Sequence, residues 1–581
     1  MENFKMMDSL KDLLTERFDE FGDKVAFLEK DKAHTEYQKI GYTKLKEDIN
    51  ALGTVMLEEL GLKDKKIAVI GENSYRWFVT YMAVVCGVGV IVPLDKELPQ
   101  NEILNLLQRS DSRCIVYSSR KKDLVEGLKK DLPKDMILIE MNKEASDEIS
   151  YAFDSLVENG KELVDTGHTA YIDTKINRDE FRILLFTSGT TGNAKGVMLN
   201  HKNLCVNVNA AAHIIPKMGE YTVLSVLPMH HTYEFTLGFL FVLSLGGTVG
   251  ICEGLKYVSK NLQEVKPDAM FAVPALAENM YKKIEKAIRA TGKEKLINAM
   301  RGITTGLSKI GIDIRRKVFK QVQDQFGGKL RYMFVGAAPL DKELVKKLQG
   351  LGFTILQGYG LTETAPLVAT TLLDNNVPGT VGRGVAGVEV RIDLSENDDE
   401  NSNVGEIIVK GDNVMMGYYE NEAETKKALK KGWFYTGDVG YFDLQGNLVV
   451  SGRNKNVIVT ANGKNIFPEE LENEINKIPL VEESMVYGMP DPKDKNEVIV
   501  AAKVTLNEEY IEEKYASKRP TDQELHDIIW TEVKKINRTM VPYKAIKKLE
   551  VKKEAFVKTT TMKIKRFEEL KKDKKDPKKK K

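Results

Sequence analysis

Short apolar runs, each closed by glycine, proline or serine, recur between stretches of helical periodicity, and this alternation constrains the fold more than any other feature of the chain. Leu10, Leu13, Leu14, Phe18 and Phe21 follow a helical spacing, as do Leu45, Ile49, Leu52 and Met56. Among them and after them stand "KIAVIG", "GVIVPL" and "RCIVYS". Helix and strand repeated in turn predict an α/β domain with largely parallel sheets. The run from Tyr81 to Leu94, "YMAVVCGVGVIVPL", is too short to span a bilayer and reads as a buried helix end followed by a strand. In "YTVLSVLPMHH", "GGTVGI", "AMFAVPA" and "LRYMFVGAAPL" an apolar strand delivers a polar or glycine-rich tip, which is where open α/β sheets place their ligands.

After about Asn375 the strands become shorter and glycine-punctuated: "GTVGRGVAGVEVRI", "GEIIVKG" and "GNLVVSGR". This predicts a β-rich subdomain. Beyond it the helix "PEELENEINKI" and the strand "NEVIVAAKVTL" predict a small α/β domain. The expected layout is therefore a large N-terminal domain over 1–452 with stacked α/β sheets, a boundary at 453–455, a small C-terminal domain over 456–568 and a lysine-rich disordered tail over 569–581.

At 581 residues the chain is long enough for several domains, and 42% hydrophobic against 30% charged residues is a globular balance. A net charge of +2 gives no general case for nucleic acid. Cys86, Cys114, Cys205 and Cys252 form neither a CxxC pair nor a framework of close spacings, which suits a reducing compartment. The opening "MENFKMMDSLKDLLTERF" carries charge where a signal peptide would be apolar, so a cytoplasmic protein is expected. The end, "KKDKKDPKKKK", holds eight lysines and two aspartates, a local charge of +6. It is expected to be a solvated end, with peripheral attachment to anionic lipid as its alternative.

The stretch "LLFTSGTTGNAKGVMLNH", Leu184 to His201, has the makings of a phosphate-binding loop. It is not the GxxxxGK[ST] loop of nucleotide hydrolases, because Ala194 precedes Lys195 and Gly196 follows it. The underlying chemistry survives. Thr187, Ser188, Thr190 and Thr191 offer hydroxyl donors, Gly189 and Gly192 let backbone N–H groups approach an anion, and Lys195 adds a point charge. A polar turn between two strands accounts for the same residues, so the choice rests on the rest of the chain.

Four further stretches decide it: "LPMHHTYEF", "GYGLTETAP", "GWFYTGDVGYFDLQGNLVVSGRNKNVIV" and "VKTTTMKIKR". In this order, with the glycine-threonine loop, they resemble the adenylate-forming superfamily, which includes acyl-CoA synthetases, nonribosomal-peptide adenylation domains and beetle luciferases. The resemblance runs from "KIAVIGENSYRW" to Arg566, and "GENSYRW", "LPMHHTYE" and "GYGLTETAP" look most like the long-chain fatty acyl-CoA synthetases. It implies that ATP, with Mg²⁺, activates a fatty acid as an acyl-adenylate, which is then passed to coenzyme A. A ligase of the same fold that loads a carrier-protein thiol is the alternative.

The resemblance also implies roles. The loop Thr187 to Lys195 would grip the β- and γ-phosphates. In "GLTET", Thr362 would meet the α-phosphate and Glu363 would be a ligand of Mg²⁺. Tyr359 would stack on adenine beside a wall of Gly336, Ala337 and Ala338. Asp438 would accept the ribose hydroxyls, with Arg453 as its basic companion. His231 would stand between acyl pocket and nucleotide, although the adjacent His230 and a plain loop role compete for that reading. Lys563 would neutralise carboxylate and α-phosphate charge during adenylation. Met562 and Val557 depart from the glycine and proline of many relatives. Lys455 would be the pivot of a mobile small domain, and the segment around Gly463 would line a tunnel for the pantetheine thiol. Chain-length preference and oligomeric state are not encoded legibly; "TYEFTLGF" and "TTGLSKIG" are apolar enough to line an acyl pocket or to be core.

Overall fold

The computed structural model describes residues 5–30, 33, 35–187, 194–214, 221–395, 403–459, 465–492, 497–516, 518–558 and 563–575. Two compact units divide the chain: Met1–Glu389 with Val409–Phe434, and Val390–Ile408 with Tyr435–Lys581.

The apolar runs of the larger unit form two sheets. In the first, of eight strands among the described residues, Lys66–Ile70 lies between Val90–Leu94 and Ser112–Tyr117, all parallel. Val90–Leu94 is buried throughout, as expected of a parallel strand covered on both faces. Leu106 and Leu107 of the helix Gln100–Ser110 pack into the same core as Ile70, Val92 and Ile115. On the other side of Val90–Leu94 comes Ile183–Thr187, then antiparallel Lys195–Leu199, then antiparallel Gly417–Tyr418.

The second sheet has nine strands among the described residues. Val25–Lys30, Thr248–Ile251, Thr222–Ser225, Ala269–Ala272, Tyr332–Val335 and Thr354–Gly360 are parallel neighbours in that order. Antiparallel strands Tyr37–Gly41 and Leu367–Thr370 flank this parallel set. Ala272 pairs with Val335 and Val335 with Gln357, so the tips that follow, at Gly336 and Gly358, emerge side by side at the carboxyl edge. Such an edge is the ligand-binding side of an open α/β sheet.

In the smaller unit, residues 435–442 pair antiparallel with Leu448–Arg453. A three-stranded sheet of Val481–Pro490, Val498–Leu506 and Ile546–Lys552 follows, the first pair antiparallel and the second parallel. Helices Pro468–Ile475 and Asp522–Arg538 bury Leu471, Ile475, Leu525, Ile529 and Val533 against Val486, Val500 and Val504.

Two features differ from the expected layout. By compactness the hairpin up to Arg453 groups with the smaller unit, so this division lies upstream of 453–455; a Cβ on Gly452 would lie 2.6 Å from a Glu469 carboxylate oxygen. A helix, Arg566–Lys575, also extends into the segment expected to be disordered. Its anchor is Glu569, 1% exposed, which accepts from Lys552 Nζ at 2.6 Å and from the Val557 amide at 2.9 Å. Composition alone does not register that tie. The four cysteines are buried thiols, none in a disulfide.

Candidate active site

The glycine-threonine loop joins two antiparallel strands in which Thr187 stands opposite Lys195. Ser188, Gly189, Thr190, Thr191 and Gly192 lie outside the described residues. Both ends of the loop are fixed. Thr187 Oγ1 donates to the Lys195 carbonyl at 3.4 Å, and the Gly196 carbonyl accepts from the Tyr419 amide at 2.7 Å. The Lys195 ammonium lies 2.5 Å from Glu424 Oε2 and 4.7 Å from the centre of the Tyr418 ring. Hydrogen bonds from Lys195 and Lys427 hold the Glu424 carboxyl down to about 2. It is thus an anion throughout the physiological range.

Tyr418 connects this lysine to the second motif. Its hydroxyl donates to Glu363 Oε1 at 2.9 Å, and the Glu363 carbonyl accepts from the Met415 amide at 2.8 Å. Thr362 and Glu363 occupy the turn Thr362–Thr364, which follows directly on the strand Thr354–Gly360. The turn is tight. A Cβ on Gly360 would sit 1.8 Å from the Pro366 carbonyl oxygen, so only glycine fits there. Asn207, wholly buried, clasps the turn from the helix His201–Ile214: its Nδ2 donates to the Thr364 carbonyl at 2.9 Å and its Oδ1 accepts from the Leu367 amide at 2.8 Å. One helical turn earlier, Asn203 Nδ2 donates to the carbonyls of Asp412 and Val414 at 2.8 and 2.9 Å. A single helix face therefore sets the positions of the Glu363 turn and of the segment that leads to Tyr418.

Tyr359, 9% exposed, lies in the strand Thr354–Gly360, and the Gly336–Ala338 wall follows directly on its parallel neighbour Tyr332–Val335. Gly336 is buried, Ala337 half-buried with φ of +73°, and Ala338 exposed. A Cβ on Gly336 would come within 3.2 Å of the Tyr233 ring and 3.4 Å of the Gly358 carbonyl oxygen. Gly336 thus packs tightly against both neighbours. Tyr233 Oη donates to the Phe334 carbonyl at 2.8 Å.

His230 and His231 have different surroundings although their rings are 4.0 Å apart. Burial, with the charge of Lys96, lowers His230 to about 3, so it is neutral; its Nε2 is 3.8 Å from Asp95 Oδ2. His231 is half-buried at the start of the helical segment Tyr233–Phe241. That segment opens on an apolar cavity of about 40 Å³ lined by Tyr233, Leu237, Phe241, Phe271, Phe334 and Gly358, among others. "TYEFTLGF" thus lines a cavity. "TTGLSKIG" is not part of this cavity's lining; it belongs to the helix Glu294–Lys309 and its end. Beside the cavity, Glu234 is 1% exposed, and desolvation raises its carboxyl to about 8 against the opposing effect of the Ser225 hydroxyl and the Val226 and Leu227 amides. At neutral pH it carries its proton.

In the smaller unit Asp438 and Arg453 are cross-strand partners, with Arg453 Nε 3.0 Å from Asp438 Oδ1. Asp438 is 6% exposed, whereas the Arg453 side chain is 44% exposed. Lys455 is exposed in the turn Asn454–Asn456. Gly463 and Met562 lie outside the described residues. Lys563 is exposed, next to the antiparallel bridge of Lys558 with Ile564. Arg566 anchors this segment: its guanidinium donates to the Val486 carbonyl at 2.8 Å and to Glu472 Oε2 at 2.6 Å. Lys563 thus lies three residues before this anchor.

Sequence reasoning missed Tyr418, Glu424, Asn203, Asn207 and Arg566 as organisers. Two of them left a signal: asparagines four residues apart in a helix that is otherwise mostly apolar share a face and need polar partners there. Among the described residues no group of three or more His, Cys, Asp and Glu is placed to hold a metal ion by protein ligands alone. A single carboxylate at Glu363 fits a hard cation whose remaining ligands are phosphate oxygens and water.

Comparison with known proteins gives the same picture. The family described as AMP-binding enzyme matches residues 14–419, and the AMP-binding enzyme C-terminal domain matches 455–572. The long-chain-fatty-acid-CoA ligase FadD15 of Mycobacterium bovis is 29% identical over 535 residues, covering 86% of this chain and 85% of that protein. The chloroplastic long-chain-fatty-acid acyl-carrier-protein ligase AEE15 of Arabidopsis thaliana is 26% identical over 552 residues, covering 83% and 74%. The ATP-bound crystal structure of MatB from Rhodopseudomonas palustris superposes with a TM-score of 0.75 at 22% identity, covering 98% of this chain and 99% of that one, which shows a shared fold. With a family match across most of its length, glycine-threonine loop and GLTET turn included, this chain belongs to the AMP-binding, adenylate-forming enzymes.

Proposed function

We propose that the protein is an acid-thiol ligase that converts a fatty acid and ATP to an acyl-adenylate and pyrophosphate, then transfers the acyl group to coenzyme A with release of AMP. The observation that carries the reading is the Tyr418 link. One aromatic residue lies under the Lys195 ammonium and donates to Glu363, so a phosphate-binding cation and a cation-binding carboxylate are set from a common point.

The chemistry explains why such residues are needed. A carboxylate is a poor acyl donor because oxide would have to leave. Attack of its oxygen on the α-phosphorus expels pyrophosphate and leaves a mixed anhydride with a good leaving group. Negative charge crowds the transition state, and preorganised donors stabilise it. In this reading the loop from Thr187 through Ser188, Gly189, Thr190, Thr191 and Gly192 to Lys195 binds the departing pyrophosphate, and Thr362 positions the α-phosphate. Glu363 would hold Mg²⁺, which supplies charge neutralisation at the phosphates. Tyr359 and the Gly336–Ala338 wall hold adenine, and Asp438 with Arg453 holds the ribose. His231 stands between the acyl pocket and the nucleotide, and Lys563 neutralises the reacting carboxylate and phosphate. Lys455 is the pivot by which Lys563 gives way to the thiol.

The apolar cavity beside Tyr233 and Leu237 supports an acyl substrate, and the FadD15 likeness supports a fatty one. The AEE15 likeness favours the second reading, transfer to a carrier-protein thiol. Incubation with ATP, palmitate and coenzyme A tests both. Thioester with AMP formation is the expected result. Adenylate that accumulates until a carrier protein is added would favour the second reading, and no palmitate-dependent pyrophosphate exchange would overturn the first.

A further inference from the structure

The helix Glu294–Lys309 is apolar on two faces, and one of them is uncovered. Ile297 and Met300 pack against the core of the nine-stranded sheet. Leu296, Ile303 and Ile310, at sevenfold spacing, are 60%, 58% and 71% exposed, and Ile312 just beyond the helix is 51% exposed. At 3.6 residues per turn Leu296 and Ile303 lie within about 20° of each other, and Ile310 is the residue that caps the helix end. Ala299 and Gly306 extend the same face, and a Cβ added at Gly306 would meet no atom within 4 Å. Large aliphatic side chains in such a row are a contiguous patch, unlike the scattered exposed apolar residues of an ordinary surface.

The charge around this row is one-sided. Between Lys282 and Lys320 the chain has twelve Lys and Arg against three Asp and Glu, in a protein whose net charge is only +2. Lys293 and Lys295 are exposed on either flank of the row, and Lys317 is exposed beyond its end. An apolar stripe bordered by lysine is the arrangement of helices that lie in the plane of a membrane interface, with aliphatic side chains among the acyl chains and ammonium groups at anionic headgroups. Among the described residues no helix is long and apolar enough to cross a membrane.

We propose that the exposed face of the helix Glu294–Lys309, with Ile310 and Ile312, docks the protein on an anionic lipid surface. The lysine-rich end at 571–581 is a separate basic segment, and the helix face is the site that supplies apolar insertion. Docking is independent of which acid the protein activates.

Sedimentation of the full-length protein with phosphatidylcholine vesicles, with and without phosphatidylglycerol, tests this. Binding is expected only with phosphatidylglycerol and should weaken with salt, since exposed charges are screened. The variant L296S/I303S/I310S should lose at least about tenfold in vesicle partition, because three aliphatic side chains no longer enter the interface. Its melting temperature and its pyrophosphate exchange with a water-soluble acid should stay those of the parent. The variant K293E/K295E/K317E, which keeps the aliphatic row, should lose phosphatidylglycerol dependence. Removal of 577–581 should reduce binding less than the aliphatic variant does. Unchanged sedimentation of L296S/I303S/I310S, or full loss on removing 577–581 alone, would overturn the proposal. So would a change of L296S/I303S/I310S from dimer to monomer with vesicle binding intact, which would assign the face to a second copy of the chain.

Discussion

At the scale of single residues, the site depends on side chains whose work is to hold other side chains. Tyr418 touches both Lys195 and Glu363. Tyr418→Phe keeps the ring under the ammonium and removes only the hydroxyl, so Glu363 loses its orienting donor. If Glu363 is the proposed Mg²⁺ ligand, removing a partner behind it commonly costs about 10- to 100-fold in metal affinity or activity. Pyrophosphate exchange should accordingly fall by about tenfold and demand more Mg²⁺, with the melting temperature little changed; an unaltered Mg²⁺ dependence would show that the hydroxyl positions nothing. Glu234 gives a prediction of another kind. Its carboxyl is raised from 4.5 to about 8 by burial, so between those values the folded protein holds a proton that the unfolded chain releases. Stability contributed by this group is full below the unfolded value and declines as pH rises toward the folded one. Glu234→Gln cannot ionise. The difference in melting temperature between Glu234→Gln and the parent should therefore grow in the variant's favour from pH 5 to pH 8; parallel curves would mean that the carboxyl titrates normally.

At the scale of elements, the helix His201–Ile214 positions the GLTET turn through Asn207 and the 412–414 segment through Asn203. Asn207→Ala leaves a buried carbonyl at Thr364 and a buried amide at Leu367 without partners. An orphaned buried polar group costs about 1–3 kcal/mol. Urea denaturation should show a loss in that range, and adenylation should fall with it, because the turn carrying Thr362 and Glu363 loses its clasp. A stable variant with full activity would refute the clasp. This element also shows what a sequence makes legible. The parallel strands were plain in runs such as "KIAVI" and "YMFV", because a strand buried on both faces must be apolar without interruption. The clasp was not, since an asparagine's partner is a loop some 160 residues away and nothing in the local pattern names it. "TTGLSKIG" stays ambiguous for a different reason. Apolar residues at helical spacing tell that a face is apolar but not whether anything covers it, and Ile310 stands 71% exposed. The lysines of the tail predict a solvated end, whereas Glu569 fixes its first part through one buried ion pair with Lys552.

At the scale of the molecule, the residues proposed for adenylation are divided between the two units. Thr187, Lys195, Glu363 and Tyr359 belong to the larger; Asp438, Arg453 and Lys563 belong to the smaller. The motif order makes a division into two parts readable in outline, whereas the grouping of the hairpin 435–453 with the smaller unit depends on tertiary packing that no local pattern records. If one cleft serves two reactions in turn, the two half-reactions must respond separately to changes in the smaller unit. Lys563 is exposed, so Lys563→Ala should leave the fold intact. If Lys563 has its proposed role at the reacting phosphate, its loss should lower acyl-adenylate formation by about 100-fold or more, while thioester synthesis from supplied acyl-adenylate persists. Lys455→Pro should do the reverse. Proline fixes its own φ and restricts Asn454 before it, so the turn can still hold one conformation but not exchange freely between two. Pyrophosphate exchange should then be spared and thioester release suppressed. Both variants are read in the same pair of assays, one for each half-reaction. Equal losses in the two assays, for either variant, would mean that the smaller unit acts as a static part of a single site, and the pivot at Lys455 would have to be abandoned.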